Sequence, residues 1–263
     1  MRKEFNMNNQ IEHNQIKNAI IEVKNISKSF GINSFGNDLA LAHLVNIFSE
    51  KKDKKSIKVL DSISFEVSRG EIIGVIGKNG SGKSTLLRVL AGVYQTDYGQ
   101  IIHRGDTFYL TSMGFGLMDR LSMRDNIYLV GAVMGLSQKR IKDIFDQIVD
   151  FSELREYVDM KIRQFSTGMM GRLGFSISVF CMKNKNSEIL LLDEVFGSGA
   201  DYDFEKKAIA KMEELIQSGA TVVLVSHNLE IIEKYCHRVL WLDQGKIKQL
   251  GQPKEVIEKY KQI

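Results

Sequence analysis

Apolar and polar positions alternate from Ile20 to Phe30 and again from Lys58 to Val67, where Phe65 and Val67 share one face. That period of two predicts two strands of an antiparallel sheet. Between them, Gly31 to Ser56 carries Leu39, Leu41, Leu44 and Phe48 at near-helical spacing, then Lys51, Lys52, Asp53, Lys54 and Lys55. This segment, residues 31–56, reads as an insertion made of a helix and a basic loop. From Glu71 onward, short apolar runs at Ile72 to Ile76, Ile189 to Leu192 and Thr221 to Val225 alternate with helical stretches. Such runs predict a parallel sheet covered on both faces. Residues 120–185 read instead as consecutive helices, so a helical subdomain over about 101–185 is expected to interrupt the sheet-forming segments. Met170, Leu173 and Ile177 form an i, i+3, i+7 stripe of the kind that packs into a core. Residues 1–19 are polar and Asn-rich, an extension to which no chemistry is assigned.

Composition narrows the class. With 263 residues, 43% of them hydrophobic, the chain can bury a full core. A net charge of +4 is too small to point to nucleic acid, and the whole excess lies in residues 1–60, which hold 10 basic and 6 acidic side chains. The lysine cluster is read as solvated surface or as a contact for anionic lipid or a partner. Cys181 and Cys236 have neither disulfide-framework nor zinc-ligand spacing, so a reducing cytosol is expected. No apolar run approaches the ~18 residues of a bilayer span, and Met1 to Ala19 has no signal-like core. Any tie to a membrane is therefore expected to run through a partner.

One stretch carries specific chemistry. Gly77-Lys78-Asn79-Gly80-Ser81-Gly82-Lys83-Ser84 matches G-x-x-x-x-G-K-[ST], follows an apolar strand and opens a helical run. Glycines let the backbone wrap phosphate oxygens so that successive N–H groups form an anion nest. The helix start adds its positive dipole end. Lys83 is expected to meet the β- and γ-phosphates and the Ser84 hydroxyl to ligate Mg²⁺, with Thr85 completing the nucleotide-binding set.

A metal anchor is expected elsewhere, and Ile189 to Asp193 is an apolar run ending in a carboxylate. Asp193 is assigned to Mg²⁺. Glu194, taken as the next residue of an extended chain, projects to the other face and is assigned the role of general base. Ser226-His227-Asn228 follows the last apolar strand at the end where ligands of parallel sheets collect, and His227 is expected to sense the γ-phosphate.

Phe165-Ser166-Thr167-Gly168-Met169-Met170-Gly171-Arg172-Leu173, between the two nucleotide motifs, resembles the signature of ATP-binding cassette (ABC) proteins. The F-S-T-G-M reading is similar to the variant of cassettes that export O-antigen, capsule and teichoic acid. Leu121 to Tyr128 and Leu240 to Lys246 resemble that branch too. The resemblance runs from about Ile20 to Tyr260, which makes residues 20–263 an ABC ATP-binding domain. It implies an α/β fold: a P-loop NTPase (RecA-like) core with an antiparallel β subdomain and an inserted helical subdomain.

By the same resemblance, Phe30 stacks on adenine, while Ser166, Thr167 and Gly168 contact the γ-phosphate held by a second cassette. The implied assembly is a head-to-tail homodimer using ATP and Mg²⁺, at the cytoplasmic face of the plasma membrane. It drives an integral membrane permease that handles the polysaccharide, with no nucleic acid involved. Gly197 to Asp201 stands where the D-loop runs. The chain departs from the common pattern in having no Gln between Ile101 and Ser137, where Thr111 to Phe115 supplies a glycine-containing loop. A polymer-gripping C-terminal β-sandwich, present in some relatives, is not expected here, so glycan recognition is expected to lie in the membrane subunit or another protein. A ribosome- or DNA-acting ATPase, a non-hydrolysing module and a drug or lipid exporter remain the alternatives.

Overall fold

The computed structural model describes residues 19–31, 56–111, 116–183, 188–194, 202–217 and 219–262. The polar extension up to residue 18, the inserted helix and basic loop over 32–55, the loop residues 112–115 and the D-loop stretch 197–201 lie outside these residues.

β1 (Ala19–Gly31) pairs antiparallel with β2 (Ser56–Ser68) and, on its other edge, with β4 (Tyr98–His103), giving a three-stranded sheet of order β2-β1-β4. Ile21 faces Val67 and Val23 faces Phe65 in the register. The alternation is used in β2, where one face is buried and the other wet, whereas Ala19 to Val23 of β1, the central strand, are buried on both faces.

The larger sheet has the order β5-β6-β7-β3-β8-β9, built from β3 (Ile72–Ile76), β5 (Thr107–Thr111), β6 (Ile189–Asp193), β7 (Thr221–Val225), β8 (Arg238–Asp243) and β9 (Lys246–Gly251). All pairings are parallel except that of β9 with β8. Every residue of β3, β6 and β7 is buried, which explains their unbroken apolar runs.

Two cores lie on the two faces of this sheet. Ile73, Val75, Leu191 and Val223 face α1 (Lys83–Leu90) and the antiparallel sheet. Ile72, Ile76, Leu190 and Val222 face α4 (Thr167–Lys183), α5 (Tyr202–Gln217), α6 (Leu229–Tyr235) and α7 (Pro253–Lys261). Each fully buried Ile, Leu or Val contributes about 1.5–3 kcal/mol.

A third core joins α2 (Met123–Val133), α3 (Gln138–Ser152) and one face of α4. α2 begins with a capping box between Ser122 and Asp125, and α3 with a Ser137 cap. Leu173 and Ile177 are fully buried here and Met170 packs beside them. The helical layer starts later than the expected position near 101. Residues 98–103 and 107–111 are strands, because Ile101 and His103 take register positions against β1 and Thr107 to Thr111 pairs along β6. Edge-strand pairing, not sequence periodicity, set that boundary.

Candidate functional site

β3 ends beneath a loop whose glycines take dihedrals closed to other residues: φ is 156° at Gly77, 78° at Gly80 and 106° at Gly82. Gly82 caps α1 without any side-chain hydrogen bond, so the first N–H groups of the helix face the loop interior with no side-chain acceptor. The Ser81 N–H donates to the Lys78 carbonyl at 3.1 Å, and the Gly245 N–H donates to the Ser81 carbonyl at 3.0 Å, tying the loop to the β8–β9 turn. Lys78, Asn79 and Gly80 form its exposed crown.

The Lys83 ammonium turns back into the loop and donates to the carbonyls of Gly77 (2.8 Å) and Lys78 (3.2 Å). Burial holds its pKa below the usual lysine value, opposed by Glu194 and Asp193. The buried Ser81 hydroxyl has no hydrogen-bond partner among the described residues. A concave set of N–H groups, one cation and one orphaned hydroxyl fits the oxygens of a polyphosphate. Thr85, the third residue of α1, is half-buried behind Ser84.

Asp193 closes β6 on the sheet face that carries α1. Its carboxylate accepts from the Ser84 hydroxyl at Oδ1 and from the Tyr109 hydroxyl at Oδ2, both at 3.1 Å. The residue is 4% exposed, and burial raises its pKa above the ordinary value, with the two hydroxyls opposing. Burial and the neighbouring Asp193 push the Tyr109 phenol up to about 12. Ser84 and Asp193 are an oxygen-only donor pair, and the described residues contain no cluster of three or more His, Cys, Asp or Glu ligands. A hard cation taking its other ligands from phosphate and water, as Mg²⁺ does, fits such a set.

Glu194 departs from its expected geometry. The chain is not extended there: φ is 54°, in the left-handed region, and the Glu194 N–H donates to the Val225 carbonyl at 3.0 Å. That bond ends the β6–β7 pairing and turns the side chain toward β7. There Glu194 Oε1 lies 2.8 Å from His227 Nε2. The neighbouring Asn228 accepts from the Glu230 and Ile231 N–H groups, capping α6 and fixing the backbone just after His227.

Phe30 is exposed at the end of β1, with Tyr94 meeting it edge-on at 5.3 Å between centroids and Lys28 5.4 Å from its ring. Ser166 and Thr167 are exposed at the start of α4, where the Ser166 hydroxyl accepts from the Met169 N–H at 3.2 Å. Gly168 follows them on the helix. Among the described residues, no hydrogen bond joins Ser166 to Gly168 with residues 77–85. The fold therefore gathers residues 77–85, Asp193, Glu194 and His227 at one end of the parallel strands and leaves the signature segment apart. Tyr109 and Arg88 are the side chains at the site that sequence reasoning missed. Only the pairing of β5 with β6 places a tyrosine beside Asp193.

A parallel sheet with this loop ahead of α1 defines a P-loop nucleotide-binding domain. The family model described as ABC transporter matches residues 60–197. The O-antigen export system ATP-binding protein RfbB of Klebsiella pneumoniae is 35% identical over 247 residues, covering 92% of this chain and 98% of that protein. The chain belongs to the ABC transporter family. The teichoic acids export ATP-binding protein TagH of Lactococcus lactis is 39% identical over 217 residues, covering 82% of this chain but 45% of that protein. The chain spans less than half the length of that protein and of two similar TagH proteins from Bacillus. Among solved structures, an ATP-binding subunit of an ABC transporter superposes with a TM-score of 0.69 at 21% identity, covering 92% of this chain and 93% of that one. A dimeric post-hydrolysis cassette bound to ADP and Pi gives 0.66 at 18% identity, covering 89% and 98%. The P-loop fold with antiparallel and helical additions is thereby shown.

Proposed function

We propose that this chain binds and hydrolyses ATP as the cassette subunit of an exporter of a cell-surface polysaccharide, either O-antigen, capsule or a teichoic-acid-like polymer. The observation that carries the hydrolytic reading is the convergence of Lys83, Asp193 and the Glu194–His227 pair at one end of β3, β6 and β7. Backbone N–H groups of residues 77–84 and the Lys83 ammonium hold the phosphates. Phe30 offers its exposed ring to adenine. Ser84 and Asp193 would hold Mg²⁺, which would supply positive charge against the phosphate oxygens.

Glu194 takes the proton of the attacking water, and His227, at hydrogen-bond distance, keeps the carboxylate oriented. Because Ser166 to Gly168 stand apart from the loop of their own chain, the complete site is assigned to two cassettes arranged head to tail. The names of the RfbB and TagH relatives support polymer export.

A membrane permease as partner is supported by an open cleft of about 440 Å³ between β5 and α2, lined by Leu110, Met118, Leu129, Val130, Val133 and Met134. Val133 is 79% exposed at its rim. No helix among the described residues is long and apolar enough to cross a membrane. The names of the export relatives support a peripheral subunit on the cytoplasmic face of the plasma membrane.

Glu194→Gln tests the reading. The variant is expected to bind ATP as the native chain does, to release phosphate about 10²- to 10⁴-fold more slowly, and to accumulate as an ATP-bound dimer in light scattering. Phosphate release at the native rate would remove Glu194 from the reaction.

A further inference from the structure

Asp193 is gripped by two hydroxyls, and only one of them, Ser84, belongs to the phosphate loop. In the β5–β6 register Tyr109 stands opposite Leu191 and Thr111 opposite Asp193. The phenol thus reaches its diagonal neighbour, two positions further along β6, a distance that only a long side chain covers. Beside it lies Arg88, from the last turn of α1, whose guanidinium interacts with the Tyr109 phenol and approaches the Tyr94 hydroxyl at 3.5 Å. Tyr94 in turn supports Phe30. A continuous chain of contacts therefore runs from the exposed aromatic ring to the buried carboxylate.

We propose that Tyr109 is a positioning residue for the metal site: its hydroxyl fixes Oδ2 of Asp193, so that Oδ1 and the Ser84 oxygen stay together as the pair that receives a divalent cation. A carboxylate held at one oxygen cannot swing away from Ser84 when that hydroxyl turns to a new partner. Outer-shell hydrogen bonds of this kind orient a metal's own ligands. Arg88 interacts with the same phenol. The inference rests on the reading of Ser84 and Asp193 as the Mg²⁺ holders.

The test is equilibrium binding of trinitrophenyl-ATP to the full chain, with Mg²⁺ and with EDTA, read as the gain in affinity that the metal brings. Tyr109→Phe keeps the ring and its packing, and a thermal melt near the native temperature is expected. Its metal-free affinity is expected to equal the native one, while the metal gain falls roughly tenfold or more. Asp193→Asn is expected to abolish the gain. If Asp193→Asn kept it, the assignment of the metal to this carboxylate would fail and the role of Tyr109 with it. If Asp193→Asn lost the gain and Tyr109→Phe kept it, only Tyr109 would be dismissed. An equal loss of affinity with and without Mg²⁺ in Tyr109→Phe would reduce the tyrosine to a packing residue and overturn the proposal.

Discussion

Gly77→Ala and Gly80→Ala place the same methyl group three residues apart in one loop, and the structure assigns them different costs. A Cβ at Gly77 would overlap the Leu242 carbonyl oxygen of β8 and lie 2.6 Å from the Ser81 hydroxyl. Neither neighbour can yield cheaply, since Leu242 belongs to a paired strand and Ser81 to the loop itself. The backbone angle of 156° adds about 1–3 kcal/mol for a non-glycine residue. Forcing the methyl into the packed site adds about 1–3 kcal/mol more. The sum, about 2–6 kcal/mol, corresponds to a fall in melting temperature of roughly 5–20 °C for a chain of this size.

At Gly80 nothing lies within 4 Å of an added Cβ. Only the left-handed dihedral opposes it, about 1–2 kcal/mol or roughly 2–8 °C. Differential scanning fluorimetry without nucleotide compares the two, and trinitrophenyl-ATP titration follows the loop's capacity to bind. Gly77→Ala is expected to melt lower and to lose binding, because the loop must shift to clear Leu242. Equal melting temperatures for the two variants, or undiminished binding by Gly77→Ala, would refute the steric reasoning.

Lys83→Ala removes the one ammonium buried in the loop and is expected to abolish most ATP binding in the same titration, while leaving a folded protein, since its carbonyl partners at Gly77 and Lys78 can be hydrated. Asp193 predicts a pH effect. Its folded-state pKa is raised by burial above 3.8, so the folded chain binds this proton more tightly than the unfolded chain does. Stability therefore falls as pH rises from 3.8 to the raised folded-state value, and the cost is complete above that value. Asp193→Asn is expected to melt higher than the native chain at neutral pH without ligand, with the advantage shrinking in acid. ATP and Mg²⁺ together are expected to raise the native melt more than the variant's, because only the native chain gains full ligand binding. A variant that melts lower than native at neutral pH without ligand would show that the hydroxyl contacts of the carboxylate outweigh the cost of burying it.

Local pattern made much of this molecule legible. The phosphate loop is a run of consecutive residues whose chemistry follows from glycine dihedrals and one helix start, so no tertiary information is needed to see it. Ile189 to Asp193 announces itself because a strand buried on both faces is apolar throughout until its carboxylate. The stripe at Met170, Leu173 and Ile177 is equally local. The kind of ligand the loop is shaped for is thus written in the order of neighbouring residues.

Other features come from hydrogen bonds between segments far apart in the chain. Residues 98–103 and 107–111 became strands because β1 and β6 offered open edges, not because their own periodicity excluded helix. Glu194 entered the left-handed region because its N–H found the Val225 carbonyl, and that turn brought it to His227. Tyr109 reached Asp193, 84 residues later in the chain, through a register that no spacing reveals. Strand order and register follow from the free energy of the assembled sheet, which no single segment carries. The side chains that support the residues named by the motifs were therefore selected only when the strands came together.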